Sequence, residues 1–101
     1  MAAMLLMSAH ATAVTWTASE KVTLIHFWVG HNGVFVKQAQ MISYPSCPRD
    51  DQYFLEKNHP FFDQVYALLM AAQVSGQPIQ FQVDGCADGF PRILHVYSPA
   101  G

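Results

Sequence analysis

Apolar positions recur at three- and four-residue spacing between 61 and 72, and at two-residue spacing soon after. Phe61, Val65, Leu68, Leu69 and Ala72 fall on one face of a helix. Pro60 suits its first turn, where a missing N–H would be unpaired anyway. Asn58 or His59 would cap it, and Gly76 suits the left-handed residue just past its end. Ile79, Phe81 and Val83 then alternate with Gln80 and Gln82, which predicts a half-buried strand.

Upstream, 21–29 (KVTLIHFWV) is rich in β-branched and aromatic residues and reads as a first strand. Val22, Leu24, His26 and Trp28 share one face, and Thr23, Ile25, Phe27 and Val29 the other. Both faces are largely apolar, so a core on one side and a second chain on the other are expected. Asn32-Gly33 is a hairpin signal, and 33–39 returns. A loop over 40–51 surrounds Cys47, and 53–55 makes a short third strand. After the helix and fourth strand come a turn-dense loop over 84–91 and a last strand over 92–98. Residues 14–19 read as a lead-in. The order β-β-β-α-β-β predicts an OB-fold, a mainly β five-stranded Greek-key barrel with the helix plugging one end, as a single domain over 14–101. A ferredoxin-like arrangement would need a second helix.

Composition changes this picture in one respect. Charged residues are 12% of the 101, against roughly 25% in typical globular proteins. Either apolar surface is hidden in a partner or part of the chain is removed. Net charge is −2 without a basic cluster, which argues against nucleic acid and against an anionic membrane surface. Residues 1–13 carry no charge and end in Ala11-Thr12-Ala13, a small-x-small pattern that fits cleavage after Ala13. The run is too short to span a bilayer, so no membrane insertion is expected. A complete signal peptide would begin with a basic segment, so 1–13 read as the remnant of one. The other reading is an ordinary apolar N-terminal element.

Cys47 and Cys86 lie in turn-like settings and favour a disulfide that closes a loop of about 40 residues, worth roughly 4 kcal/mol in an oxidising compartment. Two separate buried thiols are the alternative. The chain has no CxxC pair, so redox catalysis and a zinc knuckle are not indicated.

Candidate chemistry is sparse. His26, His31, His59 and His95 lack the spacing that aims two imidazoles at one ion, so no metal or other cofactor is expected. Asp50-Asp51, and Asp84 with Asp88, read as turn formers, and the DGCADG run is too short for an EF-hand loop. Ser46 lacks a nucleophile elbow. No catalytic residue emerges, and an enzyme is not expected. Aromatics are the stronger lead. Trp16, Trp28, Tyr44, Tyr53 and Phe90 lie in or beside predicted loops and strand ends, where they could stack on sugar rings or pack in the core. The helix carries a second apolar stripe, Phe62, Tyr66 and Met70, which could be ordinary core, loop-covered surface or a subunit contact.

The run FF-x-x-V-Y-x-L-L-x-A-A from Phe61, then Ser75-Gly76-Gln77-Pro78, the strand IQFQV, the Phe90-Pro91 pair, the strand VTLIHFWVG and the preceding Thr15-Trp16-Thr17 resemble the B subunits of AB5 toxins, the subtilase-cytotoxin type in particular. That resemblance implies an OB-fold, a homopentameric ring around the helices, cell-surface glycan recognition and a companion A subunit. In that family a serine just before the first strand and a tyrosine late in the fourth touch the sugar. Ser19 or Glu20 falls near the first position, with Trp16 close by, and Val83 stands at the second. The expected protein is therefore an exported bacterial, periplasmic or secreted, glycan-binding homo-oligomer. The alternative is a stand-alone protein-interaction module.

Overall fold

In a computed structural model of the chain, residues 14–99 are described; the predicted leader over 1–13 lies outside them. Six strands and one helix run in the order β1 (Thr15–Trp16), β2 (Glu20–His26), β3 (Gly33–Gln38), β4 (Tyr53–Glu56), α1 (Phe62–Ser75), β5 (Pro78–Ala87) and β6 (Phe90–Tyr97). The strands form one mixed sheet. β5 pairs antiparallel with β1, β2 and β6, β3 pairs antiparallel with β2 and β4, and β4 lies parallel to β6. The fold is mainly β with one helix.

The predicted lead-in contains the extra strand. β1 and β2 flank the same edge of β5, as one strand broken at 17–19. Thr17 bridges the break: its N–H donates to Phe81 O (2.8 Å), and its Oγ1 accepts from Phe81 N–H (3.0 Å). A side chain substitutes here for the missing ladder bonds, so no alternation marks the strand.

β2 ends at His26, short of the predicted Val29. Val22 opposes Gln38, but Leu24 opposes Lys37, so Thr23 is an extra residue in a β-bulge. Beyond it Ile25, opposite Val36, turns toward the core. The bulge breaks the predicted grouping of Val22 with Leu24 and His26. Phe27, Trp28 and Val29 run on as exposed loop.

Helix α1 buries Val65, Leu69 and Ala72 against Val22, Ile79, Phe81, Val83 and Ile93. Gly76 closes it at φ 77°, with its N–H on Ala72 O at 2.8 Å. The start differs from expectation. Phe61, not Asn58 or His59, is the N-cap residue, and no side chain caps it. Pro60 lies in the preceding turn. Phe61 therefore leaves the helix's buried face and is 61% exposed.

The predicted loop over 84–91 is mostly strand. Two residues, Asp88 and Gly89, both at positive φ (53° and 88°), make a tight turn between β5 and β6. This hairpin folds Ala87 and Phe90 over Phe35 and Phe54, which form a second small core behind β3 and β4. The Cys47–Cys86 disulfide pins the loop over 40–52 to the hairpin, with 5.7 Å between the Cα atoms. Tyr44 N–H on Asp50 Oδ2 (2.7 Å), Gly85 N–H on Tyr44 Oη (2.9 Å) and Arg49 N–H on Gly89 O (3.1 Å) hold the same loop.

Candidate functional site

β5 alternates cleanly over 79–83: Ile79, Phe81 and Val83 are buried, while Gln80 and Gln82 face outward. On its two sides Trp16 and His95 both oppose Gln82, and Tyr97 opposes Gln80. Directly opposed residues share a face, so Trp16, Gln80, Gln82, His95 and Tyr97 line the outer surface. Their orientation depends on a bulge at Leu94: Gln82 pairs with His95, but Val83 pairs with Ile93. The Trp16 and Tyr97 rings meet edge-to-face at 4.9 Å, and each residue stays nearly half exposed (44% and 47%).

Two adjoining clefts continue this surface along β6. The larger, about 350 Å³, is lined by Glu56, Asn58, Asp84, Arg92 and Ile93 besides the shared wall. The smaller, about 300 Å³, ends at Tyr97. His59, Phe61, Leu94 and His95 form the wall common to both. His59 is fixed there by both ring nitrogens. Nδ1 accepts the Phe61 N–H at 3.0 Å, so Nε2 carries the proton and donates to Leu94 O at 2.7 Å. Arg92 Nε donates to Asp84 O at 3.1 Å, and its Nη1 lies 3.8 Å from Glu56 Oε1. Asp84 Oδ1 is buried without a protein hydrogen-bond partner. The groove thus joins exposed Phe61 and Tyr97, with Trp16 against the Tyr97 ring, to a carboxylate, a guanidinium, imidazoles and an amide.

The residues singled out from the sequence are not gathered in one place. Trp16 lies beside the groove, its ring against Tyr97 at the groove's end. Ser19 is exposed in the break between β1 and β2, and Glu20 opens β2 opposite buried Ile79, on the other face from Trp16. Val83 is fully buried and cannot touch a ligand. Tyr44, Tyr53 and Phe90 are core residues, because the disulfide-pinned loop and the β5–β6 hairpin cover them; of the five candidate aromatics only Trp16 and Trp28 are exposed. On the helix, Phe62 and Tyr66 pack partly against the core while Met70 is exposed.

The histidines are dispersed. His26 donates from Nδ1 to Gln52 Oε1 (3.1 Å), and His31 Nδ1 meets Asp88 Oδ2 (2.8 Å). Among the described residues no three His, Cys, Asp or Glu side chains converge on a point that could hold a metal. Sequence reasoning missed Phe61, Asp84, Arg92, His95 and Tyr97 as a group, since only the β5–β6 register and the turn before α1 bring them together. The exposed pair Arg49–Asp51, whose hydrogen bond lowers the Asp51 pKa, is not part of the groove. No family model, curated protein or solved structure matches the chain.

Proposed function

We propose that this chain is an exported, non-catalytic carbohydrate-binding module that takes a sugar chain along the groove beside β6. The carrying observation is the run of three exposed aromatic residues, Phe61, Tyr97 and Trp16, beside Asp84, Arg92, His95 and Gln82. Sugar rings present C–H faces to aromatic planes and hydroxyls to hydrogen-bonding groups, so they need both in one place. An open groove of two joined clefts fits a chain of rings better than a single one.

The scaffold in this reading is an OB-fold barrel. Its support is the circuit of pairings β2–β3–β4–β6–β5–β2, with β4 parallel to β6 and the helix between β4 and β5, which is the Greek-key order of that fold. The disulfide favours an oxidising compartment, in line with export. Self-association through α1 completes the proposal, as in a ring of toxin B-type subunits. Phe62, Tyr66, Met70 and Val74 lie at four-residue steps, and the stripe grows more exposed along its length, to 42% at Met70 and 86% at Val74.

A second reading, a protein-interaction module, is favoured by Phe27, Trp28 and Val29. These three consecutive exposed apolar residues line a separate cleft of about 390 Å³ with Lys57 and Phe62. A glycan array combined with light scattering separates the two readings. Glycan binding lost in Trp16→Ala and Tyr97→Ala, with an oligomer that Met70→Glu/Val74→Glu dissociates, supports the first. A monomer that binds no glycan, but captures a protein partner lost in Trp28→Ser, supports the second.

A further inference from the structure

We infer that Asp84 makes the groove selective for sugars that carry a free amine and against carboxylated ones; the inference rests on the sugar-binding reading above. Asp84 sits in an irregularity of the β5–β6 ladder. Val83 opposes Ile93 and Cys86 opposes Pro91, so Asp84 and Gly85 together face Arg92 alone. Gly85 adopts φ 70°, and a Cβ there would stand 3.0 Å from the Arg92 guanidinium, so glycine lets the arginine lie close over the backbone. Tyr44 Oη holds Gly85 N–H, and Cys86 is tied into the disulfide. The Asp84 carboxylate is thus presented at the cleft wall by a braced backbone.

Its natural partner is engaged elsewhere. Arg92 spends Nε on the backbone oxygen of Asp84 and leans Nη1 toward Glu56. One carboxylate oxygen of Asp84 is buried without a protein partner, and no ion pair joins this carboxylate to Arg92 among the described residues. A ligand in the cleft meets the outward carboxylate oxygen and the negative charge that the two oxygens share. The fixed charges of this cleft are Glu56 and Asp84 against Arg92, while both nitrogens of His59 are already bonded and His95 is exposed. A protonated amine brings three donors and the opposite charge to the surplus carboxylate. A carboxylated sugar brings like charge to it.

The test is a ¹H–¹⁵N titration of the disulfide-intact protein at neutral pH with three probes: a β-1,4-linked glucosamine tetramer, cellotetraose as its amine-free counterpart, and sialyllactose. The glucosamine tetramer is expected to bind about tenfold tighter than cellotetraose and to shift the Asp84, Gly85 and Arg92 amides. Asp84→Asn should abolish that preference, so that the two tetramers bind with equal affinity, whereas Phe61→Ala, on the wall common to both clefts, should weaken both probes alike. Equal or tighter binding of cellotetraose or sialyllactose, or a preference that survives Asp84→Asn, overturns amine selectivity and leaves the sugar-binding reading standing. If no probe binds the wild-type protein, both fall. Should Asp84→Asn fail to fold, Glu56→Gln must narrow the same preference; an unchanged ratio overturns the inference.

Discussion

Replacing both cysteines, Cys47→Ser with Cys86→Ser, isolates what the covalent link adds to a loop that is also hydrogen-bonded. The bridge joins residues 39 apart in sequence. Loop-closure entropy for a ring of that size gives about 4 kcal/mol of stabilisation, exerted by restricting the unfolded chain. Each kcal/mol shifts Tm by roughly 4–8 °C in a domain of this size, so Tm should fall by roughly 15–30 °C. The loss is large against the 5–15 kcal/mol or so by which domains are stable. The native loop should survive it, because Tyr44 Oη and Arg49 N–H bond the segment to the hairpin at Gly85 and Gly89, and Asp50 bonds Tyr44 N–H within the loop. The assay is urea and thermal unfolding of the double variant, of wild type, and of wild type with a reductant. The urea m-value should rise on removing the link, since the unfolded chain then exposes more surface. A Tm loss below about 5 °C with an unchanged m-value would refute the reasoning, by showing that the unfolded chain is not limited by this link.

Tyr53 gives a pH prediction. It is fully buried, and burial pushes its hydroxyl pKa above the usual value. A raised native pKa means the stability is complete below the ordinary tyrosine value near 10 and is lost as pH climbs through the native value. Tyr53→Phe should flatten that alkaline limb in denaturation followed against pH. It should also cost about 1 kcal/mol at neutral pH, because Ile42 N–H loses its acceptor, Tyr53 Oη, at 3.1 Å. Two glycines separate steric from conformational cost. A Cβ at Gly33 would run into Leu55 O and come within 2.6 Å of Phe54 Cζ, so Gly33→Ala should destabilise by about 3 kcal/mol or more. Gly30, at φ 99° with open space around it, should lose only about 1–2 kcal/mol as alanine in the same melt.

The parts of the fold readable from sequence are those where one local rule acts alone. The helix body, its Gly76 stop and the 79–83 alternation each follow from side-chain spacing, and the structure has them where expected. The bridge also forms between the expected cysteines. Reading failed where a pairing partner supplies the rule. β1 exists because Thr17 bonds Phe81, which no periodicity records. The extension of β5 to Ala87 was hidden by Asp84, Gly85 and Asp88-Gly89, which look like one long loop until the bulge and the turn are separated. The exposure of aromatics depends on the same partners. Tyr44 and Phe90, left open between surface and core because they sit in turn-like sequence, are covered, whereas Phe61, expected on the helix's buried face, is exposed.

The groove is a product of these irregularities. Strict alternation from buried Ile93 would put His95 and Tyr97 inside, against Phe81, and Leu94 and Val96 outside. The extra residue at Leu94 reverses this and delivers an imidazole and a phenol to the surface. Asp84 follows Gln80 and Gln82 in the outward set of β5, and the irregularity at Asp84-Gly85 sets both residues against Arg92, whose Nε bonds the Asp84 backbone oxygen and not its carboxylate. The turn ahead of α1 adds Phe61, freed from the helix face because the helix begins only at Phe62, past the caps expected at Asn58 or His59. Two departures from regular geometry, on β6 and before α1, thus bring His95, Tyr97 and Phe61 to the groove, beside the Asp84 that regular alternation supplies. Under the sugar-binding proposal these irregularities supply flat rings next to hydrogen-bonding groups, which strict alternation along β6 would have turned inward.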